Sequence, residues 1–330
     1  MSESIVNEQA SILCAYSLDG NGSGTPLHDL TSAKVGTTSS PVWIHLNANA
    51  PATEAWLSDV AHLPNATLVT ALLAPDTRPR ILTQDQGVLL ILRGVNLNDN
   101  ADPEDMVSIR IWMEETRFIS VQLRNLKGVD EMRHRLQSGD GPTDVGDLIT
   151  GFIESSINRL SPVVDDLIDG IDVVEDCILQ MEIEGLRDII VSMRRKSIIF
   201  HRFLMPQQKL IGQLIETKFA WLTAEHRRRL LEAQNHVIRF VEELQAVKDR
   251  AQAVQDEIAN ILSARLNRTA YLFSLIAAIF LPLSFLTGLL GINVAGIPGS
   301  SDPNAFLLVC GILVAVVLVQ ITIFKKLSWF

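Results

Sequence analysis

The sequence predicts a mixed α/β domain, then a run of long helices, then a C-terminal pair of membrane-spanning helices. Three observations predict it. Short apolar runs broken by turns fill residues 1–143; residues 224–281 contain neither Gly nor Pro; and two uncharged apolar stretches close the chain at 270–290 and 305–324. These divide the chain into an α/β domain over 1–143, a helical region and stalk over 144–268, and a transmembrane hairpin over 269–330, with a connecting loop at 291–304.

Within the first domain, "ILCAYSL", "PVWIHLN" and "GVLLILRGVNL" are apolar runs of strand length. In "MVSIRIWMEETRFISVQL" the apolar residues partly alternate around a Glu-Glu-Thr turn, which predicts a hairpin. Helices are expected over "TEAWLSDVAHL", "ATLVTALLA" and "VDEMRHRLQSG", the last stopped by Gly139. "DGNGSG" lacks the glycine spacing of a dinucleotide fingerprint and opens no helix, so it is read as a loop.

From Asp144 the pattern turns helical, with an N-cap in "TDVGDLITGF" and a continuation through "DDLIDGIDVVED". A second helix covers "EGLRDIIVSMRRKSIIFHRFLMPQQKLIGQLIE", which Pro206 is expected to bend or interrupt. A third starts near Ala224 and runs unbroken into the first apolar stretch. At ~1.5 Å per residue such a helix reaches roughly 100 Å.

Each closing stretch is about as long as a helix needs to cross a bilayer, and helix is the form that satisfies its own backbone there. Arg265 and Arg268 precede the first span, Lys325 and Lys326 follow the second, and no Lys or Arg lies between Gly291 and Asn304. That asymmetry puts both ends of the hairpin in the cytoplasm, with Trp329 and Phe330 as interfacial anchors. The N-terminal residues lack a basic segment and a long apolar core, so no signal peptide is expected.

The long helix carries two stripes. Val237, Val241, Leu244, Val247, Ala251, Val254, Ile258, Ile261 and Leu262 recur at three and four residues, a packing seam. Beside it run Asp249, Asp256, Asn260, Ser263 and Asn267, then Ala270, Ser274, Ala277, Leu281, Ser284 and Gly288. The second stripe is polar before the span and mostly small within it. Small residues on a membrane helix suit close helix packing, but the polar continuation suits water. Two helices cannot enclose a pore, whereas several copies around an axis can, so the stripe is read as the lining of a homo-oligomeric conduit. Phe273, beside it, is a candidate apolar constriction, and Asp256 a candidate metal contact.

Composition excludes several classes. Of 28 basic and 38 acidic residues only Lys325, Lys326 and Asp302 lie beyond residue 268, leaving a net charge of −11 before it; that surface repels nucleic acid and attracts cations. Cys14, Cys177 and Cys310 are too scattered for a disulfide framework or a Cys-x-x-Cys site, and are expected reduced and buried. No P-loop, nucleophile–base grouping or metalloprotease motif appears, so no enzyme and no cofactor is expected. His226 and His236 do not share a helix face and are expected solvated, and the "HRRR" run at 226–229 is read as a solvated face or an inter-subunit salt-bridge partner. Asp165, Asp166, Asp169, Asp172, Glu175 and Asp176 form a helical acidic face, read as solvated or as a surface that concentrates cations.

The two closing spans, Gly291-Ile292-Asn293 at the end of the first, and "RDIIVSMRRKSIIFHRFLMPQQKLIGQL" before them resemble the CorA family of divalent-cation transporters. "GLLGINVAGIPG", "TRPR" and "LILRGVNLN" are similar to its zinc-transporting ZntB branch. Ile292 stands where the family usually has Met, and the loop lacks the usual acidic and aromatic extension.

The resemblance implies a homopentameric funnel in the bacterial inner membrane, first membrane helices lining its axis, and Asn293 as a ring at the outer mouth. It also implies zinc as the transported ion, with uptake assisted by a proton gradient. Asn293 would contact the cation through its hydration shell, because neutral amides can bond coordinated water without stripping it. Gly291 would give the turn its backbone freedom. No imidazole lies in or beside either span, and no tetrahedral thiolate–imidazole set can be assembled there. A magnesium or cobalt channel of the same family and a non-transporting membrane scaffold are the alternative readings.

Overall fold

The computed structural model describes residues 11–28, 30, 40–75, 77–84, 87–180, 185–292 and 303–326. The expectations placed on Asn293, Trp329 and Phe330 lie outside these residues. The chain divides into two compact units, Met1–Gln255 and Asp256–Phe330.

In the first unit, β1 (Ile12–Leu18), β2 (Gly24–Pro26), β3 (Val42–Asn47), β4 (Arg80–Gln84), β5 (Gly87–Gly94), β6 (Val107–Glu114) and β7 (Arg117–Gln122) form one sheet. Its order is β2-β1-β3-β7-β6-β5-β4, with only β3 and β7 parallel. The central strands are covered on both faces, so they read as continuous apolar runs instead of alternating ones. The expected hairpin is β6–β7, where Glu114 faces Arg117 across a two-residue turn and accepts its guanidinium bonds at 2.9 and 3.0 Å. The edge strands β2 and β4 escaped the sequence reading because they are short and largely uncovered. The "DGNGSG" run is the loop from β1 into β2, held by Asp19, whose carboxylate accepts from the amides of Asn21 and Ser23.

One face of the sheet is covered by helical turns at Thr53–Ala55 and Trp56–Val60 and by α1 (Ala66–Leu73), capped by Asn65. Trp56, Leu57, Leu68 and Leu72 pack there with Ile44, Leu46, Trp112 and Ile119. The other face meets α2 (Lys127–Ser138), α3 (Val145–Leu179) and α4 (Leu186–Glu216). Phe152 of α3 lies 5.7 Å from the rings of both Phe118 and Trp43. Each such buried aromatic contributes about 2–3 kcal/mol. Gly139 ends α2 in the left-handed region at φ 82°, as its position in the sequence predicts.

Of the bend or interruption expected at Pro206, the interruption is absent: helix α4 runs through that residue. The three cysteines are free, as expected, but half-buried instead of buried. Burial still pushes the Cys14 thiol up to about 12, which keeps it unreactive.

Helix α5 (Ala224–Leu290) begins where the sequence places it and spans 67 residues. Its seam is buried at Val237, Leu244, Val247, Ala251, Val254 and Ile258, and Leu230, Ala233 and Phe240 extend the same repeat. Val241 and Ile261 are only half covered and Leu262 is 46% exposed, so the seam fades towards the membrane.

The second unit contains the distal part of α5 and α6 (Ala305–Lys326), both long and apolar enough to cross a membrane. Their covered residues define where they meet. On α5 these are Leu275, Ala278, Ile279, Pro282, Leu283 and Leu286; on α6 they are Ala305, Val309, Cys310, Leu313, Val316, Val317, Gln320 and Phe324. Both sets recur at three and four residues, the spacing of a helix–helix seam. Much of the remaining apolar surface is bare, with Phe280, Phe306 and Leu307 60–77% exposed, which suits lipid or further helices.

Candidate functional site

The stripe predicted from spacing holds together on one side of α5. Asp256, Asn260, Ser263, Asn267, Ala270, Ser274, Ala277, Leu281, Ser284 and Gly288 are all exposed. At 100° per residue their intramembrane members point away from the seam that meets α6. The chain therefore leaves this side open while covering the other. Ser274 returns its hydroxyl to the Ala270 carbonyl at 2.9 Å, which satisfies it within the helix. Phe273 flanks the stripe and is 68% exposed.

At its C-terminal end α5 stops at Leu290, and the Gly291 amide still donates to the Thr287 carbonyl at 2.9 Å. A Cβ on Gly291 would lie 3.0 Å from that same oxygen. That close approach makes a side chain tight there as the helix ends. Ile292 is 48% exposed. Asn293, the residue on which the outer-ring role rests, lies beyond the described residues.

A second constellation was misread from the sequence. His226 is 5% exposed, not solvated, and faces Asp144 and Asp147 at the start of α3. The reason is two interlocked helix caps. Asp144 caps α3 through the Asp147 amide, while Asp147 accepts the Thr143 hydroxyl at 2.6 Å. At the start of α5, Thr223 accepts from the His226 amide and its own amide donates to His226 Nδ1 at 3.2 Å. This is a reciprocal capping box with imidazole in the place usually held by Glu. The ring lies against Gly146, where a Cβ would meet Nδ1 at 2.2 Å.

Asp144, Asp147 and His226 offer ligand atoms within 4.8 Å of one another, yet their chemistry disfavours a metal. With Nδ1 accepting an amide proton, neutral His226 carries its hydrogen on Nε2, the atom turned to the carboxylates at 3.3 and 3.5 Å. A cation on Nε2 would force that proton onto Nδ1, against the Thr223 amide. Asp147 is also already bonded by Arg229 at 2.9 Å, and Arg229 clasps Glu154 at 2.5 and 2.9 Å. The hydrogen bond from His226 holds the Asp147 carboxyl well below the usual range, and the same bond raises His226 against the opposing effect of burial.

The "HRRR" run is therefore not a solvated face. Arg229 makes the pairs just described, Arg227 donates to the Ile215 carbonyl, and only Arg228, paired with Glu225, lies at the surface. The acidic face on α3 is partly neutralised as well, because Arg250 of α5 bonds Glu175 at 2.5 and 2.7 Å and Asp172 at 2.5 Å. Asp165, Asp166, Asp169 and Asp176 stay exposed. Together these contacts fasten the proximal part of α5 to α3.

Comparison with known proteins finds relatives over nearly the whole chain. The chain is 34% identical over 303 residues to the zinc transport protein ZntB of Pectobacterium atrosepticum, covering 92% of this chain and 91% of that one. It is 33% identical over 325 residues to the divalent cation transporter CmaX of Pseudomonas aeruginosa, covering 98% of each. The structure of full-length CmaX superposes with a TM-score of 0.85 at 33% identity, covering 97% of this chain and 98% of the other. Residues 38–326 match the family described as CorA-like Mg2+ transporter protein, and the chain belongs to that family.

Proposed function

We propose that this protein transports divalent metal cations across the bacterial inner membrane, with zinc as its principal cargo. Ions pass along the axis of a homopentamer, lined by one α5 from each copy. The observation that carries this reading is the open stripe from Asp256 to Gly288, turned away from the helix seam and ending at Gly291-Ile292. A helix that covers one side with its own chain and leaves a small, polar side bare is suited to neighbours around a wet axis. Both chain ends are assigned to the cytoplasm by Arg265, Arg268, Lys325 and Lys326, with the loop between the spans outside. In functional terms residues 1–143 and 144–268 form the cytoplasmic domain and stalk, and 269–330 the membrane part.

Zinc as cargo is supported by likeness to proteins named for zinc transport, not by a zinc-type donor set. Asn293 at the outer mouth and the hydroxyls and amides of the stripe recognise size and hydration, so the ion passes largely hydrated. Zn²⁺, Co²⁺, Ni²⁺ and Cd²⁺ should then compete within about tenfold of one another. Zinc flux into proteoliposomes, with and without an imposed pH gradient and with Mg²⁺ as competitor, tests the reading. Absence of flux by the assembled protein would favour a scaffold, and preference for Mg²⁺ a magnesium channel. Exclusion of the other metals by several orders of magnitude would require a dehydrating site and end the hydrated-ion mechanism.

A further inference from the structure

Helix α5 contains a proline in its membrane-spanning part, and that proline leaves one carbonyl without a donor. In an α-helix the amide of residue 282 would bond the carbonyl of residue 278; Pro282 has no amide hydrogen, so the Ala278 oxygen loses its partner within the helix. In hydrocarbon such a group has no water to turn to, and a neighbouring helix must satisfy it.

The amide of Gln320, on α6, reaches that oxygen. Its Nε2 lies 3.4 Å from the Ala278 carbonyl oxygen, and both residues sit on the covered seam. Chemistry fixes the orientation of the amide, because turning it over would set two oxygens against each other. The other end, Oε1, is buried with no hydrogen-bond partner among the described residues. An amide that leaves one end unsatisfied in an apolar seam is unfavourable as mere filling, since leucine would occupy similar space without that penalty. Its placement opposite the one carbonyl vacated by Pro282 supplies the polar role that filling does not.

We propose that Gln320 is a positioning residue for the conduction path, clamping α6 to α5 at the carbonyl freed by Pro282. The clamp fixes Ala277 and Ser274, below the proline, relative to Leu281 and Ser284, above it. Proline is retained at this point of the wall without leaving the carbonyl bare. The flux consequence rests on the transport reading above; the hydrogen bond itself does not.

Two measurements on the full-length protein test the proposal separately. Zinc flux in proteoliposomes and thermal stability in detergent are compared for wild type, Gln320→Leu, Pro282→Ala and the double variant. Alanine at 282 restores the amide that Ala278 lacks. Gln320→Leu should therefore lower flux about three- to tenfold and lower stability in the wild-type background, and have little further effect in Pro282→Ala. A packing role would give the same loss in both backgrounds, and that result would overturn the clamp. Should Pro282→Ala fail to assemble, isotope-edited infrared spectroscopy with a ¹³C=¹⁸O label at Ala278 reads the bond directly. The labelled band should move to higher frequency in Gln320→Leu; an unmoved band would also overturn it. If the band and the stability cycle behave as expected while the wild-type protein carries no metal, the clamp stands and the transport reading fails.

Discussion

The two ends of α5 belong to one helix and are treated very differently by the rest of the chain. Up to Gln255, every third or fourth residue is buried, and Arg229 and Arg250 are bonded to acids on α3. From Asp256 onward only Ile258 is buried, and the polar and small stripe faces away from the single helix that packs on it. The first part is covered within one chain, whereas the second leaves most of its surface bare. Stability is therefore expected to reside in the proximal part and transport in the distal part, and substitutions should separate the two.

The largest separation is expected at the outer mouth. Asn293→Ala removes amide groups and little volume, so flux should fall roughly tenfold or more while the assembled species and its melting temperature stay as in wild type. Zinc uptake in proteoliposomes together with size-exclusion chromatography measures both; undiminished uptake would remove Asn293 from the conduction path. Gly291→Val should also reduce flux, because the added Cβ crowds the Thr287 carbonyl at the helix end.

The opposite separation is expected at Gly146. A methyl group there would press on the His226 ring at 2.2 Å, and relief requires breaking the capping box or shifting α3. Gly146→Ala should cost about 2–3 kcal/mol, read as a lower melting temperature, with flux per assembled protein within about twofold of wild type. Equal melting temperatures would mean that the imidazole is not locked against α3.

Cysteine accessibility sharpens the comparison along the helix. In a background lacking Cys14, Cys177 and Cys310, single cysteines at Asp256, Asn260, Ser263, Asn267, Ala270, Ala277, Leu281, Ser284 and Gly288 should react with water-soluble thiol reagents roughly tenfold faster than at Ile276 or Leu283. Equal rates would turn the stripe into a packing surface between copies.

The smallest effect is on pH dependence. Asp147 is held below its ordinary value of 3.8, so its contribution to stability is present above that value and fades as pH falls through it. His226 is held above 6.5, so its contribution is complete below 6.5 and fades as pH rises past it. Between these limits the Asp147–His226 ion pair should be firmest, while at higher pH the neutral ring keeps Nδ1 free to accept from the Thr223 amide. Asp147→Asn should lower stability by about 2 kcal/mol near neutral pH and flatten the acid side of the profile, measured by thermal melts from pH 3 to 9. An unchanged acid limb would assign acid sensitivity to other carboxylates.

What could be read from the sequence was whatever depends on composition and on spacing along a single element. The two spans, the start of α5 at Ala224, its seam as far as Ile258, the β6–β7 hairpin and the Asp144 cap are of this kind, since helix and strand periods are local properties. So is the stripe from Asp256 to Gly288, whose members share a face by spacing alone. Tertiary structure decided what distant segments do to one another. His226 and Arg229 looked like a charged surface run, but α3 lies against them 75 to 82 residues away and converts them into buried partners. Edge strands β2 and β4 are too short to announce themselves and exist because β1 and β5 offer them a ladder. Gln320 is one polar residue in an apolar span until α5 brings the unpaired Ala278 carbonyl opposite it. Hydrogen bonding and desolvation depend on what lies across a gap, and a linear pattern does not contain that information.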